Sequence, residues 1–340
     1  MRGLRLPGDR SVQVGDFADP LPGPGEVIIA LRAAAVCGSD LHLYRMPIEE
    51  RAPNAAVIPG HEPSGVVVAV GGEIHNVHEG DRVSVFHYRG CGHCRWCVGG
   101  QLQWCANRRG YGGPINGSDA DYLITDERNC LPLPDDFSFE VGALLACNTS
   151  TAYSAMRKLL PSGRETLVVF GLGPVGLNGL LVAKAMGARV VGLDVSETRR
   201  NLALELGADA VLDPTKVDVP AEIAGMTDGE GAELAFETSG NRQAQAQLSE
   251  VLGYNGKAVC VGIGSREPSF NPSELVGKQI SLSGSFVSSI NDYWDIVKFV
   301  RRHQLPLERM ITHRIGLDAA EEGFRLADRG EAGKVMFVWS

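Results

Sequence analysis

Leu167-Val-Val-Phe170-Gly171-Leu-Gly173-Pro-Val-Gly176 is the stretch that decides how this chain is read. Four apolar residues form a short buried-strand pattern, a Gly-x-Gly-x-x-Gly turn follows at once, and a helical pattern runs from Gly176 to Met186. In that context the first glycine permits a tight turn, the second lets a pyrophosphate approach the backbone, and the third lets helix and strand pack closely. The helix N-terminus then faces the anion. Asp194 ends the next apolar run, Val190 to Leu193, at about the 20-residue spacing that ribose recognition uses. A carboxylate there accepts from ribose hydroxyls and repels a 2′-phosphate, so NAD is expected over NADP. Arg199 and Arg200 follow closely, and an arginine nearby can pair with a phosphate. Arg200 reads as part of a solvated helix face. Leu167 to Met186 has the length of a membrane span, but Pro174 and four glycines break it into strand, turn and helix.

Outward from that turn the texture is regular. Arg189 to Leu193 reads as a strand and Ser196 to Leu206 as a helix, and apolar runs recur at Leu234 to Glu237, Ala258 to Val261 and Gln279 to Gly284. Alternation on this scale predicts βαβ units and an α/β, doubly wound parallel (Rossmann) sheet. Upstream, from Val27 to Gly142, turn signals cut the chain into short β-rich runs such as Val27 to Leu31, Gly65 to Val70 and Arg82 to Phe86, which predicts a β-rich domain. The last part holds a helical pattern at Tyr293 to Arg302 and ends in the apolar run Val335 to Trp339. At 340 residues, two domains are expected.

The formal charge is 32 − 41 = −9, hydrophobic residues are 44% and charged residues 21%. These values exclude a disordered or fibrous chain. With no basic block, neither nucleic acid nor an anionic membrane is an expected partner. Met1 to Asp9 carries charges and no apolar run of the secretory kind, so a cytoplasmic location is expected. In a reducing compartment, clustered cysteines suggest metal binding or catalysis more than disulfides.

Cys91, Cys94, Cys97 and Cys105 form C-x2-C-x2-C-x7-C on one loop. Four thiolates so spaced suit a closed tetrahedral zinc, and an iron-sulfur cluster is the chemical alternative. A closed zinc has no open position, so this centre reads as structural, with His93 a solvated loop residue. A second constellation begins at Cys37-Gly-Ser39-Asp40-Leu-His42 and continues at Gly60-His61-Glu62. A catalytic zinc takes three protein ligands and leaves the fourth place open. Cys37, His61 and either Glu62 or Cys147 could supply them.

On these residues the chain resembles the zinc-containing medium-chain alcohol and polyol dehydrogenases, over nearly its whole length. The four-cysteine loop resembles the family's structural zinc lobe, and Gly60-His-Glu with Pro63 and Gly65 resembles its zinc signature. The resemblance implies a GroES-like catalytic domain over 1–149, a Rossmann domain over 150–287, and a segment 288–340 completing the first. It implies two zinc ions per chain and NAD, with Cys37 and His61 as catalytic ligands, Asp40 as their orienter, Cys147 at the second cysteine position and Glu62 as an occasional or alternative ligand. Cys130 and Cys260 match no ligand position and read as small core residues. Ser39 would accept the substrate hydroxyl proton and His42 relay it to solvent, while Thr151 would pack on the nicotinamide, Arg199 lie near the adenosine ribose and Lys334 near the pyrophosphate. His87 falls in a stretch resembling one that lines the substrate pocket, together with Tyr44, Met46 and Phe286 to Trp294. The implied reaction is reversible hydride transfer from a secondary alcohol, polyol or sugar-like hydroxyl to NAD, giving a ketone, in a homodimer or homotetramer. Two other readings are a zinc-stabilised NAD-binding protein without turnover and a zinc-free NADPH enone or quinone reductase. The first has no use for an open metal beside a proton relay, and the second needs neither cysteine set.

Overall fold

The computed structural model describes residues 1–264 and 270–339. The chain divides into two compact units. One comprises Met1–Cys147, Ser288–Val297 and Ile311–Ser340, and the other Asn148–Val287 and Lys298–Met310. The segment 288–340, expected to belong wholly to the first unit, therefore gives Lys298–Met310 to the second.

The first unit is built on a sheet whose path runs Ile311–Ile315, Lys334–Val338, Glu26–Ala35, Pro63–Val70, Arg82–Val85 and Cys130–Pro132, with Tyr122–Asp126 also paired to Glu26–Ala35. Strand side chains alternate between faces, so Val27, Ile29 and Leu31 point together into a core shared with Val67, Val83, Val85 and Leu123. Each such buried side chain contributes roughly 1.5–3 kcal/mol relative to exposure. Register is what places chemistry on this sheet. Glu26–Ala35 pairs antiparallel with Pro63–Val70, aligning Ala34 with Pro63, and with Lys334–Val338, aligning Ala35 with Met336. The end of the central strand, just before Cys37, thus lies between the start of one neighbour, next to Glu62, and the start of the other, at Lys334.

The second unit holds a six-stranded parallel sheet ordered Ala210–Leu212, Arg189–Leu193, Thr166–Phe170, Ala232–Glu237, Leu252–Cys260, Ser281–Gly284. The order reverses between Thr166–Phe170 and Ala232–Glu237, as in a doubly wound nucleotide-binding sheet. All five residues of Thr166–Phe170 are buried, the mark of a strand covered on both faces. The stretch with membrane-span length folds as strand Thr166–Phe170 and helix Pro174–Ala185, and among the described residues no helix is long and apolar enough to cross a membrane. Strand ends differ from expectation by a few residues where the sheet ladder outruns the apolar run. Leu252–Cys260, for instance, starts six residues before Ala258.

Candidate functional site

Cys37, His61, Glu62 and Cys147 each bring one ligand atom to a common point, all four atoms within 4.8 Å of one another. Sheet register supplies the first three. Cys147 comes from a turn of π-helix, Leu145–Thr149, between helices Phe139–Leu144 and Ser150–Leu159. A π turn inserts one residue into the helical ladder and re-aims its side chains, which is why such turns recur at functional sites.

Asp40 organises the cluster. It is 2% exposed, one oxygen accepts the Cys37 backbone N–H at 2.8 Å, and the other lies 3.2 Å from His61 Nδ1. A carboxylate only accepts, so Nδ1 carries the proton and Nε2 keeps its lone pair for a metal. Ser39 Oγ stands 3.4 Å from that Nε2. Ser39 begins the short helix Asp40–Arg45, and His42, three residues on and solvent-exposed, donates its backbone N–H to the Ser39 carbonyl. Residues at this spacing share a helix face.

Electrostatics follow from burial and neighbours. The Cys37 thiol is held well below its ordinary value, first by a hydrogen bond from Cys147 and then by His61, against the cost of burial. Cys147 is pushed up, because it holds the proton of that pair and is buried. Burial works against protonated His61, but Asp40 and Cys37 outweigh it and raise the ring's value. Burial and the Cys37 thiolate push Glu62 upward against the pull of Lys334. Two thiols, an imidazole and a carboxylate, one thiol already biased to thiolate, form the mixed donor set that zinc takes in catalytic sites.

Lys334 meets this cluster too. Its side chain is fully buried and its Nζ lies 2.5 Å from Glu62, so the lysine is tied to the carboxylate of this cluster. Nothing in the sequence signalled that pair, since it depends on two strands far apart in the chain meeting the same central strand. His87 is also buried. Its Nδ1 lies 3.1 Å from the Ala146 carbonyl, which can only accept, so Nε2 is left as an acceptor. Its ring lies 5.7 Å from that of His61. Burial drives its pKa down to about 3, which keeps the ring neutral. Asp119, unnoticed in the sequence, is fully buried beside this cluster, and burial followed by the repulsion of Asp40 raises its carboxyl well above the usual range.

The four sulfurs of Cys91, Cys94, Cys97 and Cys105 also gather within 4.8 Å of one another. Cys94 and Cys97 sulfurs are 3.6 Å apart, near the ~3.8 Å edge that a tetrahedron of ~2.3 Å zinc–sulfur bonds requires. Backbone N–H groups of His93 and Cys94 point at the Cys91 sulfur and pull its pKa down to about 6. That is solvation for a thiolate, and it fits a metal bound by four. His93 itself is exposed.

In the second unit Gly171 has φ +91°, and a Cβ on Gly176 would fall 1.9 Å from the Gly171 carbonyl oxygen, so neither position accepts another residue without strain. A Cβ on Gly173 would meet nothing within 4 Å. That open space lies at the N-cap of the helix Pro174–Ala185, where no side chain caps the free N–H groups. An anion fits there. Asp194 accepts the backbone N–H groups of Leu172 and Ser196, both at 2.8 Å, which fixes the carboxylate while leaving lone pairs for ribose hydroxyls. Arg200 is not on a solvated face, because its guanidinium binds the Asp194 carbonyl at 2.7 Å and Asp213 at 3.2 Å. Arg199 lies half-buried in the helix Glu197–Glu205, and Thr151 is buried in Ser150–Leu159.

Comparison with known proteins gives the same two halves. Residues 23–135 match the alcohol dehydrogenase GroES-like domain and residues 174–302 the zinc-binding dehydrogenase family. The chain is 33% identical to a zinc-type alcohol dehydrogenase-like protein of Escherichia coli, over 99% of this chain and 98% of that one. It is 33% identical to an L-threonine 3-dehydrogenase of Deinococcus deserti, over 95% and 94% of the two chains. Among solved structures, 2R,3R-butanediol dehydrogenase from Bacillus subtilis is similar with a TM-score of 0.87 and 29% identity, covering 100% of this chain and 99% of its own.

Proposed function

Because the chain belongs to the zinc-type alcohol dehydrogenase family, we propose that it oxidises a secondary alcohol, a polyol or a sugar-like hydroxyl to a ketone, reversibly, with NAD as hydride acceptor. Two zinc ions per chain fit the two donor sets, one structural at Cys91, Cys94, Cys97 and Cys105, the other catalytic at Cys37, His61 and Cys147 with Glu62 as an alternative ligand. The observation that carries the reading is the Asp40–His61–Ser39 array, a fixed imidazole with a hydroxyl 3.4 Å from its metal-facing nitrogen.

Zinc held by Cys37, His61 and Cys147 would supply Lewis-acid polarisation of the substrate hydroxyl, and NAD at the glycine turn would supply the hydride acceptor. The chain's own residues do the rest. Asp40 holds His61 in one tautomer and ties the Cys37 backbone to it. Ser39 Oγ accepts the substrate hydroxyl proton, and His42, exposed on the same helical turn, passes it to water. Lys334 holds Glu62 by its ion pair and so governs how readily that carboxylate reaches the metal. His87 Nε2 accepts from a further hydroxyl of the substrate, favouring polyols and diols over simple alcohols. Asp194 favours NAD over NADP by repelling a 2′-phosphate. The relatives' printed activities, on threonine and on butanediol, are both oxidations of a secondary carbinol. A homodimer or homotetramer in the cytoplasm completes the proposal.

The test is an NAD-reduction screen over polyols, diols, amino alcohols, sugars and simple alcohols, with metal analysis on the same protein. Expected are about two zinc per chain and turnover on secondary carbinols with NAD. Activity confined to primary alcohols, or turnover with NADP alone, would overturn the substrate or the cofactor assignment respectively.

A further inference from the structure

Glu237 ends the strand Ala232–Glu237, the neighbour of Thr166–Phe170 across the reversal of the parallel sheet. A dinucleotide lies across the carboxyl ends of the strands at such a reversal, one mononucleotide over each half. The glycine turn and Asp194 belong to the half that takes the adenosine. The other half offers the loops that follow Glu237 and Cys260.

One residue ties both loops. The Glu237 side chain is fully buried, and its Oε1 accepts the backbone N–H groups of Ser239 and Gly240, both at 2.8 Å, and the Ser239 hydroxyl at 2.6 Å. Its main-chain carbonyl accepts Val261 N–H at 2.8 Å and Gly262 N–H at 3.2 Å. The two loops also touch directly, since a Cβ on Gly262 would fall 2.2 Å from Gly240 N and 2.7 Å from Glu237 Oε2. Oε2 is buried and has no hydrogen-bond partner among the described residues. The corner is then pressed against the phosphate turn, where Thr238 Oγ1 donates to the Gly171 carbonyl at 2.8 Å. A buried carboxylate is a costly way to pin a corner. Its return is rigidity, because bonds to an ionised acceptor are about twice as strong as neutral ones.

We infer that Glu237 is a positioning residue for the nicotinamide half of the dinucleotide: its carboxylate and carbonyl hold the loops 238–241 and 261–264 in the shape that half binds. The inference rests on the dinucleotide reading of the glycine turn. Glu237→Gln keeps an accepting oxygen for the three donors but lowers its charge and puts an N–H2 where Oε2 stands, against Gly262 and with no acceptor among the described residues.

The test is calorimetric titration of the zinc-loaded full chain with NADH and, separately, with ADP, which lacks the nicotinamide half. E237Q should raise the Kd for NADH about tenfold, a change of ~1.4 kcal/mol, and leave the Kd for ADP within about twofold. S239A, at an exposed residue, removes the hydroxyl's bond to Glu237 Oε1 and the acceptor of the Asn241 N–H while leaving the backbone bonds to Glu237 in place. It should raise the NADH Kd about threefold with no change for ADP, which decides the matter if E237Q does not fold. Val259→Ala, a cavity in the same sheet, should lower the melting temperature and change neither Kd. An unchanged NADH Kd, or equal weakening of NADH and ADP, overturns the inference. Failure of the unmutated protein to bind either ligand overturns the dinucleotide reading itself.

Discussion

The four-thiol loop takes Cys91, Cys94, Cys97 and Cys105 from one short stretch of chain, while the mixed set takes Cys37, His61, Glu62 and Cys147 from three segments that only the sheet and a π turn bring together. The first could close around a metal with little help from the rest of the fold. The second exists only if the register of Glu26–Ala35 with its neighbours is right, and it carries a buried acid, Asp40, and a buried ion pair, Glu62–Lys334, that the first lacks. Locality suits a staple, and a site assembled by long-range register suits chemistry, because its surrounding shell can be held to sub-ångström tolerances by the core.

The largest effect should separate the two centres outright. Cys37→Ser is expected to cut turnover by ~10³-fold or more, the loss of several kcal/mol of Lewis-acid assistance, and to leave one zinc per chain with the fold intact by circular dichroism. Cys97→Ala should do the reverse: one zinc is lost, the melting temperature falls by several degrees, on the order of 1–2 kcal/mol, and turnover at low temperature stays within about threefold. Equal loss of turnover in both variants would show that the centres are not functionally distinct.

Next in size is the ion pair that marks the mixed centre. Lys334→Met leaves Glu62 buried without its cation and should cost about 3–5 kcal/mol in urea unfolding, while the double variant Lys334→Met/Glu62→Gln recovers most of it. No recovery would mean that packing of the lysine stem, and not charge, is what the site loses. Smaller again is Asp40→Asn, which keeps the shape but removes the charge and leaves one accepting oxygen where the carboxylate serves two donors, the Cys37 N–H and His61 Nδ1–H. Zinc affinity should fall about 10–100-fold, measured by competition with a chelator, and the four-thiol zinc should be untouched.

How much of this could be read from sequence follows the same divide between local and long-range. The Gly171 turn, its strand and helix, the four-cysteine spacing and Asp194 are all local patterns whose physical meaning is contained in about twenty residues. Cys37, Asp40 and His61 were legible as residue types with metal chemistry. From the residues alone Glu62 and Cys147 stay open as the third ligand, and only the resemblance favours Cys147, because that side chain is aimed by a π turn that no spacing rule encodes. The Glu62–Lys334 pair is illegible for the same reason: a lone lysine in a terminal apolar strand says nothing of the acid it meets across two sheet ladders. Arg200 was read as solvated because its partners, the Asp194 carbonyl and Asp213, come from the ends of two other strands. Burial was the hidden variable at Asp119 and Glu237 too, where an acid in an ordinary-looking sequence lies at zero exposure.

His87 offers the finest test of the comparison, because the proposed function makes it the point where the mixed centre acquires a preference among substrates. Its ring is buried against Phe86 and near His61, with Nδ1 committed to Ala146. On the proposed reading, the remaining acceptor, Nε2, takes a second hydroxyl of the substrate. His87→Phe fills the same space without that acceptor, so kcat/KM for a polyol should fall about tenfold relative to a simple secondary alcohol, the discrimination expected of one hydrogen bond to a neutral group. The substitution also has a signature in stability. The native ring titrates at about 3 and the unfolded one near the ordinary 6.5, so the unfolded chain binds the extra proton between those values. Stability from this group is therefore complete above pH ~6.5 and is lost as pH falls toward 3. Phenylalanine has no proton to bind, and the decline of unfolding free energy below pH 6.5 should become shallower by up to about 1.4 kcal/mol per pH unit. If the pH slope softens while the polyol preference is unchanged, His87 is a core residue that happens to lie near the metal ligands. If the preference shifts as well, the open centre selects its substrate through a neutral imidazole, something the closed four-thiol loop has no means to do.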